Sequence, residues 1–173
     1  IYDKSGQLLI VATPWGPRAS ARKAAQFLHD FFLSSRDDSE ATSPFARLTC
    51  LTPLANQLRL AMKLTNDLLY QEDNKQDYIS GIELTVIARS HQEVAIAQVG
   101  YPYVLLDRPA TGLIPLGSQV DLTSEMSYEK ELVPPLPQRL LGLDPTSDFS
   151  LQSIRYFPGD RYVLISRSTL PAE

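Results

Sequence analysis

The run Pro158-Gly159-Asp160-Arg161-Tyr162-Val163-Leu164-Ile165-Ser166-Arg167-Ser168 sets a tight turn before an apolar stretch and closes on two polar side chains. Arg167 is a permanent cation; it cannot ligate a divalent metal and would repel one by several kcal/mol at roughly 4 Å unless well screened. Asp160, inside the Pro-Gly-Asp turn, is of a type and position that caps backbone amides more often than it binds metal. Near the start, Thr13-Pro14-Trp15 ends another apolar run, and Arg18, Arg22 and Lys23 follow it. Those three cations either hold an anion at a helix N-terminus or form a solvated helix face. Trp15, at the loop tip, is either an anchor for a partner or a plug over a cleft. The single cysteine, Cys50, excludes an intrachain disulfide and a cysteine-based zinc site; with His29 and His91 far off in sequence, a small buried hydrophobe is the expectation for it.

These segments carry a resemblance. Pro158 to Ser168 is similar to the P-G-D-R, apolar strand and S-D-G of the PPM-type (type 2C) metal-dependent Ser/Thr protein phosphatases. Leu9-Ile10-Val11-Ala12-Thr13-Pro14-Trp15-Gly16-Pro17-Arg18-Ala19 resembles their V-A-D-G-M-G-G-H-A. Ala97 to Arg108 resembles A-N-V-G-D-S-R-A-Y-L-x-R, Ser80 to Thr85 the strand opening G-T-T-A, and Gln138 to Gly142 the L-T-R-A-L-G turn. No one of these is specific; their shared order and spacing across most of the chain are.

The resemblance implies an α+β fold, a PPM phosphatase-like antiparallel β-sandwich flanked by α-helices, with the site at its loop end. It also implies that metal-site positions are vacated: Thr13 stands for a bridging Asp, Pro14 for a metal-binding Gly carbonyl, Tyr101 for an acidic residue, and Arg167-Ser168 for the Asp-Gly of S-D-G. Asp3, Glu83, Asp107 and Asp121 are acids that could rebuild a site, and none occupies a motif position. The implied function is that of a catalytically inactive pseudophosphatase, a regulatory or scaffold domain binding a protein such as a phosphoprotein or a kinase. It would need no cofactor. The alternative is an active metal-dependent phosphatase with a rebuilt Mn or Mg site. Thr13, Tyr101 and Arg167 are expected in one neighbourhood, with aromatic rings where relatives hold ions.

At 173 residues, 43% hydrophobic and 21% charged, the chain suits one ordinary domain with a sizeable core. A net charge of -4 without a long basic block gives no field for nucleic acid. No apolar run approaches the ~20 residues of a membrane span, and no charged leader with a cleavage site is visible. Single-cysteine usage fits a reducing, cytoplasmic setting. The resemblance implies a single domain over 1–173 lacking its first and last strands; because the sequence opens on Ile1 rather than Met, a leader would not be seen in it.

Periodicity must supply the elements that position these residues. Leu8 to Ala12 reads as a strand stopped by Thr13-Pro14, and apolar residues at Ala21, Ala24, Ala25, Leu28, Phe31 and Phe32 predict a helix over about 19–33, started by Ser20 or by the Pro17-Arg18 turn. Residues 34–43 read as an exposed loop. A second helix is predicted over about 53–71, with Thr52 as N-cap and Pro53 in its first turn. Strands are expected over 81–89, 94–99, 103–107, 151–156 and 162–166, with Ser90 to Glu93 as a hairpin. Residues 109–148, rich in proline, show few regular signals; Pro134 to Pro137 reads either as a polyproline ligand or as a packed excursion.

Overall fold

The computed structural model describes residues 1, 7–37, 45–75, 77, 80–116, 139–146 and 148–165. In chain order the elements are β1 (Leu8–Trp15), α1 (Arg18–Asp37), α2 (Pro53–Leu68), a π-helical turn (Leu69–Asp73), β2 (Gly81–Arg89), β3 (Glu93–Val99), β4 (Tyr103–Arg108), β5 (Gly112–Leu116), β6 (Ser150–Arg155) and β7 (Arg161–Ile165). Two antiparallel sheets result, with strand orders β1-β2-β3-β6 and β5-β4-β7. The fold class is α+β, as the grouping of helices and strands implies.

Side chains alternate across a strand, so each strand of the larger sheet feeds two cores. Leu8 and Ile10 of β1, Ile82, Leu84, Val86 and Ala88 of β2, and Ala95, Ala97 and Val99 of β3 pack against the helices. There they meet Ala21, Ala24, Ala25, Leu28 and Phe32 of α1 and Ala55, Leu58, Ala61 and Met62 of α2. The small residues let the helices lie close to the sheet. The opposite face sends Leu9, Ile87, Val94, Ile96 and Ile154 toward Val104, Leu106, Ile114, Leu116, Tyr162 and Leu164 of the smaller sheet. This second core is the filling of the β-sandwich.

Helix α1 begins at Arg18 directly after Pro17, so the Pro17-Arg18 turn starts it; Ser20 lies inside the helix, where its hydroxyl meets that of Ser80 at 2.9 Å. The helix continues to Asp37, past the expected end at 33, because Phe32, Ser34 and Ser35 extend the same spiral instead of opening a loop. Thr52 caps α2 as expected, accepting from the amide of Ala55 at 3.2 Å. Cys50 is exposed, contrary to the buried position expected: it sits in the turn before α2, outside the helical stripe that reaches the core. Strand β5 falls in the stretch expected to be irregular. It contains Pro115, which is compatible with its place at the edge of its sheet. Pro134 to Pro137 lie outside the described residues.

Two buried asparagines tie the end of α2 to the loop at 139–144. Asn74 donates to the carbonyls of Ser80 and Gly142, both at 2.7 Å, and accepts from the Ser80 amide at 2.9 Å. Asn66 accepts from the Gly142 amide at 2.8 Å and donates to the Asp144 carbonyl at 2.9 Å. Gly142 has φ +95°, and a Cβ there would stand 2.8 Å from the Leu69 Cβ, so only glycine lets the loop approach this closely. Replacing Asn74 with Leu strands buried backbone groups of Ser80 and Gly142, and the urea unfolding free energy should fall by about 3 kcal/mol or more.

In the sandwich core the Tyr162 hydroxyl is buried with no hydrogen-bond partner among the described residues. Burial, helped by the negative charge of Asp160, pushes the phenol up to about 12 from its ordinary 10.0. Above pH 10 the unfolded tyrosine ionises first, so stability is lost as pH climbs from 10 toward about 12. Urea midpoints measured across that window should fall less steeply in Tyr162→Phe than in the parent, with no loss of stability at neutral pH.

Candidate functional site

The sandwich face shared by β1, β2 and β3 changes character along its length. Leu9, Ile87 and Ile96 are apolar; two and four residues further toward the loop end, the same face carries Thr13, Thr85, Glu83 and Gln98. Register aligns them: Thr13 opposes Glu83, and Thr85 opposes Gln98, which in turn opposes Ser150 of β6. Glu83, Thr85 and Gln98 are buried, Glu83 to 1% exposure. A polar floor thus closes the loop end of the sandwich.

Above that floor lies the turn Gly100-Tyr101-Pro102, which passes from β3 in one sheet to β4 in the other. The Glu83 carboxylate accepts the Tyr101 amide at 3.3 Å. Gln98 donates to the Gly100 carbonyl at 2.8 Å and also to the Pro102 carbonyl. Gly100 has φ +68°, and a Cβ there would lie 2.6 Å from both Cγ and Oε1 of Glu83. Glycine is required both for the left-handed backbone and for the close approach to the carboxylate. The carbonyl oxygen of the Gln98 amide and the Thr85 hydroxyl have no hydrogen-bond partner among the described residues.

Of the residues singled out from the sequence, Thr13 is exposed beside Glu83, Pro14 and Trp15 are half-buried at the end of β1, and Tyr101 is buried to 2% exposure. Thr13 and Tyr101 flank the same carboxylate, one as its cross-strand neighbour and the other through its amide. Arg167 and Ser168 lie outside the described residues, as do Asp3 and Asp121. Arg18 and Arg22 are exposed at the start of α1. Lys23 donates to Asp73 at 2.7 Å and to Glu72 at 2.8 Å, and these hydrogen bonds raise its pKa; it clasps α1 to the π-helical turn. Asp107 ends up at the far end of β4, opposite Arg161. Asp160 does cap an amide, that of Phe157 at 3.1 Å, and pairs with Arg108.

Glu83 is the site residue that sequence reasoning passed over. The signal was present: a lone acid inside the apolar strand Gly81–Arg89 must meet a donor when buried. What donor it meets depends on strand register and on a turn between sheets, neither of which a linear pattern reveals.

A pair of divalent ions needs several oxygen ligands, mostly carboxylates, around one small volume. The described donors do not fit that requirement. Glu83 is the carboxylate beside Thr13 and Tyr101, its oxygen is engaged with a backbone amide, and among the described residues no three of His, Cys, Asp and Glu gather as a metal set.

By sequence, no family model and no curated protein matches the chain. By structure the likeness is clear. PppA, a regulatory component of the type VI secretion system of Pseudomonas aeruginosa, superposes with a TM-score of 0.65 at 16% identity over 91% of this chain and 64% of its own. The PPM Ser-Thr phosphatase MsPP of Mycobacterium smegmatis, in complex with cacodylate, gives 0.67 at 18% identity, over 92% and 67%. The catalytic domain of the phosphatase PstP, solved with two manganese ions, gives 0.61 at 22% identity, over 92% and 66%. The chain thus spans about two thirds of the length of these structures.

If Glu83 and Gly100 hold the turn as described, Gly100→Ala should lower the unfolding free energy by about 2 kcal/mol or more, through left-handed strain and overlap. Glu83→Gln keeps an acceptor and should cost under about 1.5 kcal/mol, whereas Glu83→Ala orphans the Tyr101 amide and opens a cavity, at about 3 kcal/mol. Urea denaturation of the three variants checks this; equal losses for Gln and Ala would remove the carboxylate's role.

Proposed function

We propose that the chain, which has the fold of PPM-type Ser/Thr phosphatases, is a catalytically inactive domain of that fold, a pseudophosphatase that works by binding another protein in a regulatory or scaffolding role. The observation that carries this reading is the loop end of the sandwich. Where the resemblance implies metal-binding groups, three carboxylates and a Gly carbonyl, the sequence has Thr13, Tyr101 and Arg167 for the carboxylates and Pro14 for the carbonyl, and Glu83 accepts a turn amide. A domain released from metal binding has no need for a cluster of mutually repelling acids, and the tyrosine ring gives the turn an apolar anchor instead. On this reading residues 1–173 form one domain, acting in the cytoplasm. A phosphoprotein or a kinase is a fitting partner, met at Trp15, Arg18 and Arg22. The regulatory role stated for PppA is in keeping with it. Among the described residues no helix is long and apolar enough to cross a membrane.

A second reading, an active phosphatase with a rebuilt Mn or Mg site, draws on the buried Glu83 carboxylate in the right place. The two readings separate in one experiment. Phosphate release from p-nitrophenyl phosphate with Mn or Mg should stay at the blank level, and calorimetric titration with Mn should be silent. Metal-dependent turnover that survives purification and is abolished by Glu83→Gln would establish the second reading. Arg167→Asp alone should not restore turnover, since one carboxylate with water as its other partners holds these ions weakly.

A further inference from the structure

The end of the sandwich opposite the candidate site gathers arginines. Strand β2 ends at Arg89, β4 ends at Arg108, β6 ends at Arg155 and β7 begins at Arg161. Since all pairings are antiparallel, these positions share one end, around the link Tyr156 to Asp160 that passes between the sheets. In a chain of net charge -4 this is a local reversal of sign.

The cluster divides by role. Arg108 is structural: its Nε and Nη2 donate to the two oxygens of Asp160 at 2.9 and 2.8 Å, and Nη2 also reaches the Arg155 carbonyl at 2.9 Å. The Asp160 side chain is fully covered, and the guanidinium beside it lowers its pKa. That pair freezes the link, whose Phe157 ring then receives the guanidinium of Arg108 at 4.5 Å and that of Arg155 at 5.3 Å. Arg89 lies over the Tyr156 ring at 5.1 Å. Arg89, Arg155 and Arg161 are exposed and make no ion pair among the described residues. Their acidic neighbours are otherwise placed: Glu93, across from Arg155, takes the hydroxyls of Thr52 and Ser153, and Asp107 lies across from Arg161 without pairing to it. Phe157 stands 41% exposed among them.

We propose that this arginine and aromatic surface docks an acidic peptide segment of a protein partner. Two of the three exposed guanidinium groups, those of Arg89 and Arg155, already lie over rings, so part of their rotamer freedom is lost before a carboxylate arrives. Phe157 adds an apolar contact at the centre. Three cations without an ion pair among the described residues suit a few carboxylates on a short segment; the net negative charge of the chain disfavours nucleic acid and extended anionic membranes, which sense the field of the whole surface. The proposal deepens the binding reading above and rests on it, but concerns the end away from Thr13 and Glu83.

The test is fluorescence polarisation of a short labelled Glu/Ser peptide and its Gln/Ser counterpart with the whole chain. The acidic peptide should bind, more weakly as salt rises, and the neutral one should not. Each of Arg89→Ala, Arg155→Ala and Arg161→Ala should weaken binding by about three- to fivefold, and the triple variant by roughly thirtyfold or more, with unchanged urea midpoints. Arg18→Ala with Arg22→Ala should leave it unaltered. Absent binding, equal binding by the triple variant, loss confined to the Arg18 and Arg22 variant, or capture of anionic lipid vesicles or an oligonucleotide in preference to the peptide would each overturn the proposal. Phosphate turnover, by contrast, would sink the pseudophosphatase reading and leave this measurement standing.

Discussion

Strand β2 is buried on both faces over eight successive residues, Gly81 to Ala88, and everything else in the fold is arranged around that fact. One face must meet helices and the other must meet a second sheet, which makes a layered sandwich obligatory. A strand so enclosed holds a charged group only where a donor is supplied from within. Glu83 is that group, and the donor is the amide of Tyr101, carried on the turn that links the two sheets. The carboxylate therefore fastens the two sheets at the end where β3 crosses to β4.

The periodic signals in the sequence located this framework well. The apolar run Leu8 to Ala12, the stripe of alanines and phenylalanines in α1, the Thr52-Pro53 start of α2 and the alternating strands from Gly81 onward each answer to local physics, so they could be read locally. Elements decided by neighbours were harder. Gly112 to Leu116 looks like a loop because Gly and Pro sit in it, yet β4 offers a free edge and the pairing wins. The helical stretch beyond Leu33 is held by its own spiral and by Gln57, which donates to the Phe32 carbonyl and the Ser35 hydroxyl from α2.

The candidate site shows the same division. Thr13 and Tyr101 were found because each follows an apolar strand in a recognisable frame, and the structure sets both beside one carboxylate. That carboxylate is only one of four acids the sequence offers outside any motif position, and a single Glu in a strand looks incidental until register places it under a turn with a glycine of φ +68°. Spacing along a chain reports which residues end strands. It does not report which side chain of an adjacent strand waits beneath.

The two ends of the sandwich solve the same problem with different chemistry. Each has a crossing between sheets, and each crossing is held by a covered carboxylate: Glu83 under Gly100 and Tyr101, Asp160 within the link from Tyr156. At the first end the donor is a neutral amide on a turn closed by the buried Tyr101 side chain, and the exposed cations Arg18 and Arg22 stand nearby at the start of α1. At the second, Asp160 is matched by Arg108, and Arg89, Arg155 and Arg161 are left exposed, Arg89 over the Tyr156 ring and Arg155 over that of Phe157. A carboxylate held by its own arginine has no charge left over for neighbouring cations, and Arg89, Arg155 and Arg161 make no ion pair among the described residues. Their exposed donors are what an acidic segment would meet at this end.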